Sequence, residues 1–214
     1  MVAVATACAR SVSVAPRPRG SSRRGGRPVA VRARASSESS SSAESLIRRV
    51  TLTAEVVTPE AFAPFGQVIS AEEDGVEFGP EDAQLDLSQG TPRFYVMRLR
   101  DKAMQFDRIT YHAKVTQCLG ALGDAPWYMA VAAPTMDVNR RPAEGDIRVF
   151  EIPPGKFVKM HAGTWHAGPL WDSVNAGPKY IDFYNLELAD TNVVDHNTHD
   201  YAETEGFVFE VQVR

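Results

Sequence analysis

Cysteine is almost missing from this chain: Cys8 and Cys118 are its only two among 214 residues. A disulfide framework is therefore not expected. Cys118 sits in the apolar stretch Cys118-Leu119-Gly120-Ala121-Leu122, with no local carboxylate, lysine or histidine pair to lower its pKa. It reads as a buried structural thiol, not a nucleophile. No run of 18 apolar residues occurs, so no membrane-spanning helix and no membrane partner are expected. Long segments of helical period are also absent, and so is any internal repeat.

Acid and lysine are missing from the first 37 residues, which hold eight arginines amid Ala, Ser, Val, Pro and Gly. Such composition cannot bury a core and suits an organelle transit peptide over residues 1–35. The Ala/Val/Ser opening and Val31-Arg32-Ala33 favour the plastid stroma, with the mitochondrion as the alternative. Residues 36–49, nearly all serine at first, read as a linker, and residues 50–214 as one domain. With eight of the 23 basic side chains and none of the 27 acids in the first 37 residues, the remainder carries 15 basic against 27 acidic groups. That balance argues against a nucleic-acid partner.

The remaining chain is rich in short β-prone runs. Residues 50–57, 67–69, 93–99, 127–132, 147–152, 180–186 and 207–211 alternate or are β-branched and aromatic, and Gly and Pro turns separate them. Thr58-Pro59 to Gly66 reads as one short helix, with Thr58 as cap, Pro59 at its first turn and Gly66 as stop. The acid-rich residues 71–89 read as an exposed loop. This pattern predicts an all-β, antiparallel sandwich, roll or barrel with one or two short helices.

The densest candidate site is Gly155 to His166. A strand-like run, Ile147 to Ile152, breaks at Pro153-Pro154-Gly155. The chain then runs out through Lys156 to Met160 and turns at Ala162-Gly163-Thr164, which leaves His161 and His166 on strand ends. The hexapeptide Asp195-His196-Asn197-Thr198-His199-Asp200 contains metal-ligand residue types. It lies in a polar segment and reads as a solvated loop, with a rim or dimer contact as the lesser alternative.

These residues resemble the cupin pattern. Gly155, His161-Ala162-Gly163 and His166 keep the spacing of the second cupin motif, with His161 at its proline and Leu170 at its later asparagine. Thr110 to Gln117 stands at the first motif, with Thr110 for a histidine and Gln117 for the glutamate. More narrowly, the chain is similar to the ureidoglycolate lyase branch. The similarity lies in Ala61-Phe62, Phe65-Gly66 and Val68-Ile69; in Arg98; in His112, Thr116 and Gln117; and in His161, Trp165 and His166. It departs where the branch has a Glu-Arg pair, here Thr110 and Tyr111.

The resemblance implies a cupin-like roll and, with it, cleavage of ureidoglycolate to glyoxylate and urea in purine (allantoin) catabolism by a homodimer. It also implies a divalent metal, Ni, Mn or Zn, without an organic cofactor. His161 and His166 are then the expected acid-base pair. Arg98, Gln117 and Trp165 are the expected substrate contacts, Arg98 gripping a carboxylate by a two-pronged contact. His112, Gln117, His161 and His166 are the expected metal ligands, although a neutral amide is a poor replacement for a carboxylate. A cupin that binds a small carboxylated or sugar ligand without catalysis is the alternative.

Overall fold

The computed structural model describes residues 47–137 and 139–214. The expected transit segment, and the linker up to residue 46, lie outside them. The described chain forms thirteen strands: β1 (Arg48–Val56), β2 (Gly66–Ile69), β3 (Pro92–Arg100), β4 (Gln105–Phe106), β5 (Arg108–Tyr111), β6 (Cys118–Leu122), β7 (Trp127–Ala132), β8 (Arg148–Ile152), β9 (Phe157–Met160), β10 (Trp165–Leu170), β11 (Tyr180–Leu188), β12 (Asn197–Asp200) and β13 (Phe207–Gln212). Three short helices interrupt them: α1 (Pro59–Phe62), α2 (Thr191–Val194) and α3 (Tyr201–Glu205). The all-β, cupin-like class read from the sequence is the observed one.

Two curled sheets make up the fold. The larger has eight strands in the order β12-β5-β10-β7-β8-β1-β13-β4, and the smaller has five in the order β2-β9-β6-β11-β3. Pairing is antiparallel with one exception: β1 runs parallel to both of its neighbours, β8 and β13. Strand β1 also begins at Arg48, two residues ahead of the expected domain start. Thr58 does cap α1, accepting a hydrogen bond from the Ala61 amide. The helix ends at Phe62, however, and Gly66 opens β2 instead of closing the helix.

The core forms on both faces of the large sheet. Alternation along β7 sends Trp127, Met129 and Val131 into the space between the sheets, where they meet Phe62, Phe150, Val158 and Phe183. Tyr128, Ala130 and Ala132 point the other way, toward Trp165, Phe207 and Phe209. A strand covered on both faces has no polar side to show, which is why residues 127–132 are apolar throughout. Each fully buried aromatic here contributes about 1.5–3 kcal/mol.

The same alternation builds the site. Along β11, Ile181 and Phe183 fill the inter-sheet core, and two and four residues later Asn185 and Glu187, also buried, face the same way. The space between the sheets thus changes from apolar to polar toward one end.

Strand β2 is pressed hard against β9, with Gly66 opposite Met160. A Cβ at Gly66 would lie 1.8 Å from the Lys159 carbonyl oxygen, so the pairing that carries β9 toward His161 needs glycine there. Gly66→Ala is expected to destabilise the fold by roughly 1–3 kcal/mol or more. Gly145→Ala, where an added Cβ meets nothing within 4 Å, should stay within about 0.5 kcal/mol. Chemical denaturation of the two variants checks this, and equal midpoints would contradict it.

Candidate functional site

The polar end of the inter-sheet space is an open cavity of about 410 Å³. Strand β3 contributes Tyr95, Met97 and Leu99, the start of β6 contributes Gln117 and Leu119, and β11 contributes Asn185 and Glu187. The facing wall holds His112, just past β5, and His166 on β10, with His196 at the rim. His166 is set opposite Thr110 across the β5/β10 pairing, and the His112 ring lies 5.1 Å from the His166 ring, centroid to centroid.

Both imidazoles are held by backbone. His112 Nδ1 lies 2.5 Å from the Asp195 carbonyl oxygen, and His166 Nδ1 lies 3.1 Å from that of Thr164. A carbonyl only accepts, so each Nδ1 carries the proton and donates it, leaving the Nε2 lone pair as an acceptor on the cavity wall. Burial lowers the pKa of both rings. For His166 enclosure, reinforced by His112 beside it, pushes the pKa down to about 3; for His112 enclosure outweighs the Asp195 carbonyl contact, which acts in the opposite direction. Both are neutral at pH 7.

His196 is 5.6 Å from His112, ring to ring. It belongs to the hexapeptide expected to be a solvated loop; the residue is exposed, yet it borders the cavity. Its neighbour Asp195 is buried and accepts from the amides of Ala113 and Lys114 at 2.9 and 2.7 Å, which fixes the backbone around His112. Thr116 acts similarly on the acidic loop: its hydroxyl accepts from the Asp86 amide, and its amide donates to the Asp86 carbonyl.

Other expected site residues are placed elsewhere. His161 does not border the 410 Å³ cavity; it faces a crevice too narrow for a water molecule, behind His112, Gln117 and His166. Both of its nitrogens are engaged. The Lys159 ammonium donates to Nδ1 at 3.2 Å, and Nε2 faces the Ala63 carbonyl oxygen at 3.3 Å. Trp165 is core: it packs edge-on against Tyr111 at 4.6 Å on the opposite face of the large sheet.

Arg98 lies on the outer face of the small sheet, where it makes its two-pronged contact with Asp182, at 2.7 Å for both bonds. Alternation forbids it the cavity, since Met97 and Leu99 on either side already point inward. Cys118 is an inert thiol, its pKa raised to about 11 by burial.

The four expected metal ligands are not gathered into one set. Among the described residues no three His, Cys, Asp or Glu side chains are grouped to hold a metal ion. His161 has no nitrogen to give, and the ammonium of Lys159 stands beside it. Gln117 turns its NH2 group toward the small sheet, donating to Asn185 Oδ1 at 3.2 Å and Glu187 Oε2 at 3.1 Å. His161 therefore stands apart from His112, Gln117 and His166, which border the cavity together.

The residues that motif reasoning missed are Tyr95, Asn185 and Glu187. Their parity was visible: Asn185 and Glu187 share a face with the apolar Ile181 and Phe183, and polar groups on an apolar face ask for partners.

The profile of a protein family described as ureidoglycolate lyase fits residues 49–207. A search of curated proteins finds no match.

The lowered pKa values tie stability to pH. A histidine whose folded pKa falls below its unfolded value of about 6.5 contributes fully above that pH. Below it the unfolded chain binds protons that the folded chain does not, so stability is lost, by up to about 1.4 kcal/mol per pH unit for each such group. Stability should therefore fall from pH 6.5 to pH 5, and His166→Gln should flatten the decline. Thermal melts across that range check this; a wild-type curve with no slope there would contradict it.

Proposed function

Because the chain belongs to the ureidoglycolate lyase family, we propose that its inter-sheet cavity cleaves ureidoglycolate to glyoxylate and urea, with His112 and His166 handling the proton. The observation that carries this reading is the neutral imidazole pair. Each ring is tied through Nδ1 to a backbone carbonyl, and each Nε2 is left for a ligand. A volume of about 410 Å³ suits a small ligand with some water.

Ureidoglycolate is a carbinolamide, in which one carbon bears a hydroxyl, a carboxylate and a ureido nitrogen. When the hydroxyl loses its proton, the oxygen electron pair forms the carbonyl of glyoxylate and the C–N bond breaks. The departing nitrogen takes up one proton and leaves as urea. The proton released is the proton required, so no nucleophile is needed and no net acid or base is consumed. A neutral Nε2 accepts it from the hydroxyl and, as an imidazolium, passes it to the nitrogen. Enclosure that disfavours the imidazolium makes that second transfer easy.

The substrate carboxylate needs a cation other than Arg98. Two cations line the cavity, Lys102 and Arg108. Arg108 is bound to Asp200 at 2.6 Å, whereas Lys102 makes no ion pair among the described residues. The Lys102 backbone is anchored, its carbonyl oxygen accepting from both the amide and the hydroxyl of Ser173. Lys102 is the proposed carboxylate contact.

A homodimer is also proposed. The outer face of the small sheet carries a stacked aromatic row, Phe94 on Tyr184 at 5.6 Å and Tyr184 on Phe157 at 6.0 Å. Phe94, Val96, Leu122 and Tyr180 are exposed there, and β3 is the edge of its sheet among the described residues. Such a face and edge suit a second copy.

In the purified chain, His166→Ala and His112→Ala should each lower kcat for glyoxylate release by about 100- to 10,000-fold. Lys102→Met should raise KM, and Arg98→Ala should change neither constant. A wild-type chain that binds a small carboxylate but releases no glyoxylate would replace the enzyme by a ligand-binding protein. For the dimer, sedimentation should show two copies in the wild type and one in Phe94→Glu; a monomeric wild type would end that proposal.

A further inference from the structure

One buried carboxylate is left over by this chemistry. The Glu187 side chain is almost wholly enclosed, and donors surround it. Oε2 accepts from Gln117 Nε2 at 3.1 Å and Asn185 Nδ2 at 3.0 Å. Oε1 accepts from the Tyr95 hydroxyl at 3.3 Å and Asn192 Nδ2 at 3.2 Å. Arg93 balances the charge, with Nη1 3.6 Å from Oε1, and its guanidinium lies 3.6 Å over the Tyr95 ring.

A carboxylate accepts and does not donate, so every amide that touches it must turn its NH2 toward it. For Gln117 this settles which end points where. Its NH2 group is used on Glu187 and on Asn185 Oδ1, and Asn185 in turn spends its own NH2 on Glu187 and the Tyr95 hydroxyl. The remaining atom, Gln117 Oε1, meets no protein donor among the described residues, and Gln117 borders the cavity. A turned amide would set two acceptors against each other at the Glu187 side. The cavity therefore presents a fixed acceptor on its small-sheet wall, facing the lone pairs of His112 and His166 on the other.

Resting on the reading of this cavity as a ureidoglycolate site, we propose that Glu187 is a positioning residue that locks the Gln117 carbonyl toward the cavity, so that the ligand group selected there is an N–H donor of the urea type. A fixed acceptor repels a carboxylate and rewards N–H, which sets the direction of the substrate: the ureido end toward Gln117, the carboxylate end toward Lys102. A site built to bond an N–H group discriminates sharply against ligands that lack one.

The test uses two ligands that cannot be cleaved. N-carbamoylglycine keeps the ureido group and carboxylate but lacks the hydroxyl; glycolate lacks the ureido group. Calorimetric titration of the full chain should show that Gln117→Leu and Glu187→Met each weaken N-carbamoylglycine binding about tenfold, with glycolate binding held within about twofold. Because Glu187 acts through Gln117, adding Glu187→Met to Gln117→Leu should cost less than about twofold more.

Additive losses, parallel loss of glycolate, or unchanged affinity for N-carbamoylglycine would overturn the proposal. If Glu187→Met fails to fold, Glu187→Gln takes its place with the same direction expected. Glyoxylate release by the wild type separates the two readings. A chain that cleaves ureidoglycolate but shows no selective loss refutes the positioning role alone, whereas a chain that neither cleaves it nor binds N-carbamoylglycine refutes both.

Discussion

The rest of the structure depends on the change from apolar to polar along the inward face of β11. Ile181 and Phe183 close the two sheets on a packed core. Asn185 and Glu187 continue the same row where apolar packing stops. A polar row at that depth is stable only if each group is paired, and here Tyr95, Gln117, Asn192 and Arg93 converge on one carboxylate. The cavity is thus a consequence of pairing requirements as much as of sheet curvature.

The opposite wall obeys a different constraint. Its imidazoles are disciplined by backbone, through the carbonyls of Asp195 and Thr164. The turn before β10 brings the second of these into place. The Gly163 amide donates to the His112 carbonyl at 2.7 Å, and with φ at +84° and the Thr135 carbonyl oxygen 2.5 Å from any added Cβ, only glycine fits. One glycine therefore couples the strand that ends near His112 to the strand that carries His166.

The sequence was most legible where period and punctuation agree. The strands at 93–99, 127–132 and 180–186 were read almost to their ends, and the all-β class followed from them. The short strands β4, β5 and β12 were not read, since two to four residues carry too little alternation. The parallel pairing of β1 could not be read at all, because register with distant strands leaves no local trace.

In the candidate site, His112, His166 and Gln117, singled out by spacing, do border one cavity. Arg98 was placed wrongly although its parity with Met97 and Leu99 was in view. His161 was placed wrongly for a less visible reason: a lysine two residues earlier, Lys159, is itself buried and takes its lone pair.

The missing charges before His112 find an answer in the third dimension. Where the resembled branch has a Glu-Arg pair, Thr110 bonds Thr198 at 2.7 Å and Tyr111 packs into the core against Trp165, so these two positions bring neither acid nor cation to the cavity. The facing sheet pairs an acid with a cation instead, Glu187 on the cavity wall with Arg93 behind it. They are separated by more than 90 residues in sequence and joined by the β3/β11 register that sets Glu187 directly opposite Arg93. The acid placed there already has five partners. That leaves proton transfer to the imidazole wall and orientation to the amide wall, a division of labour that follows from which groups already have partners and which do not.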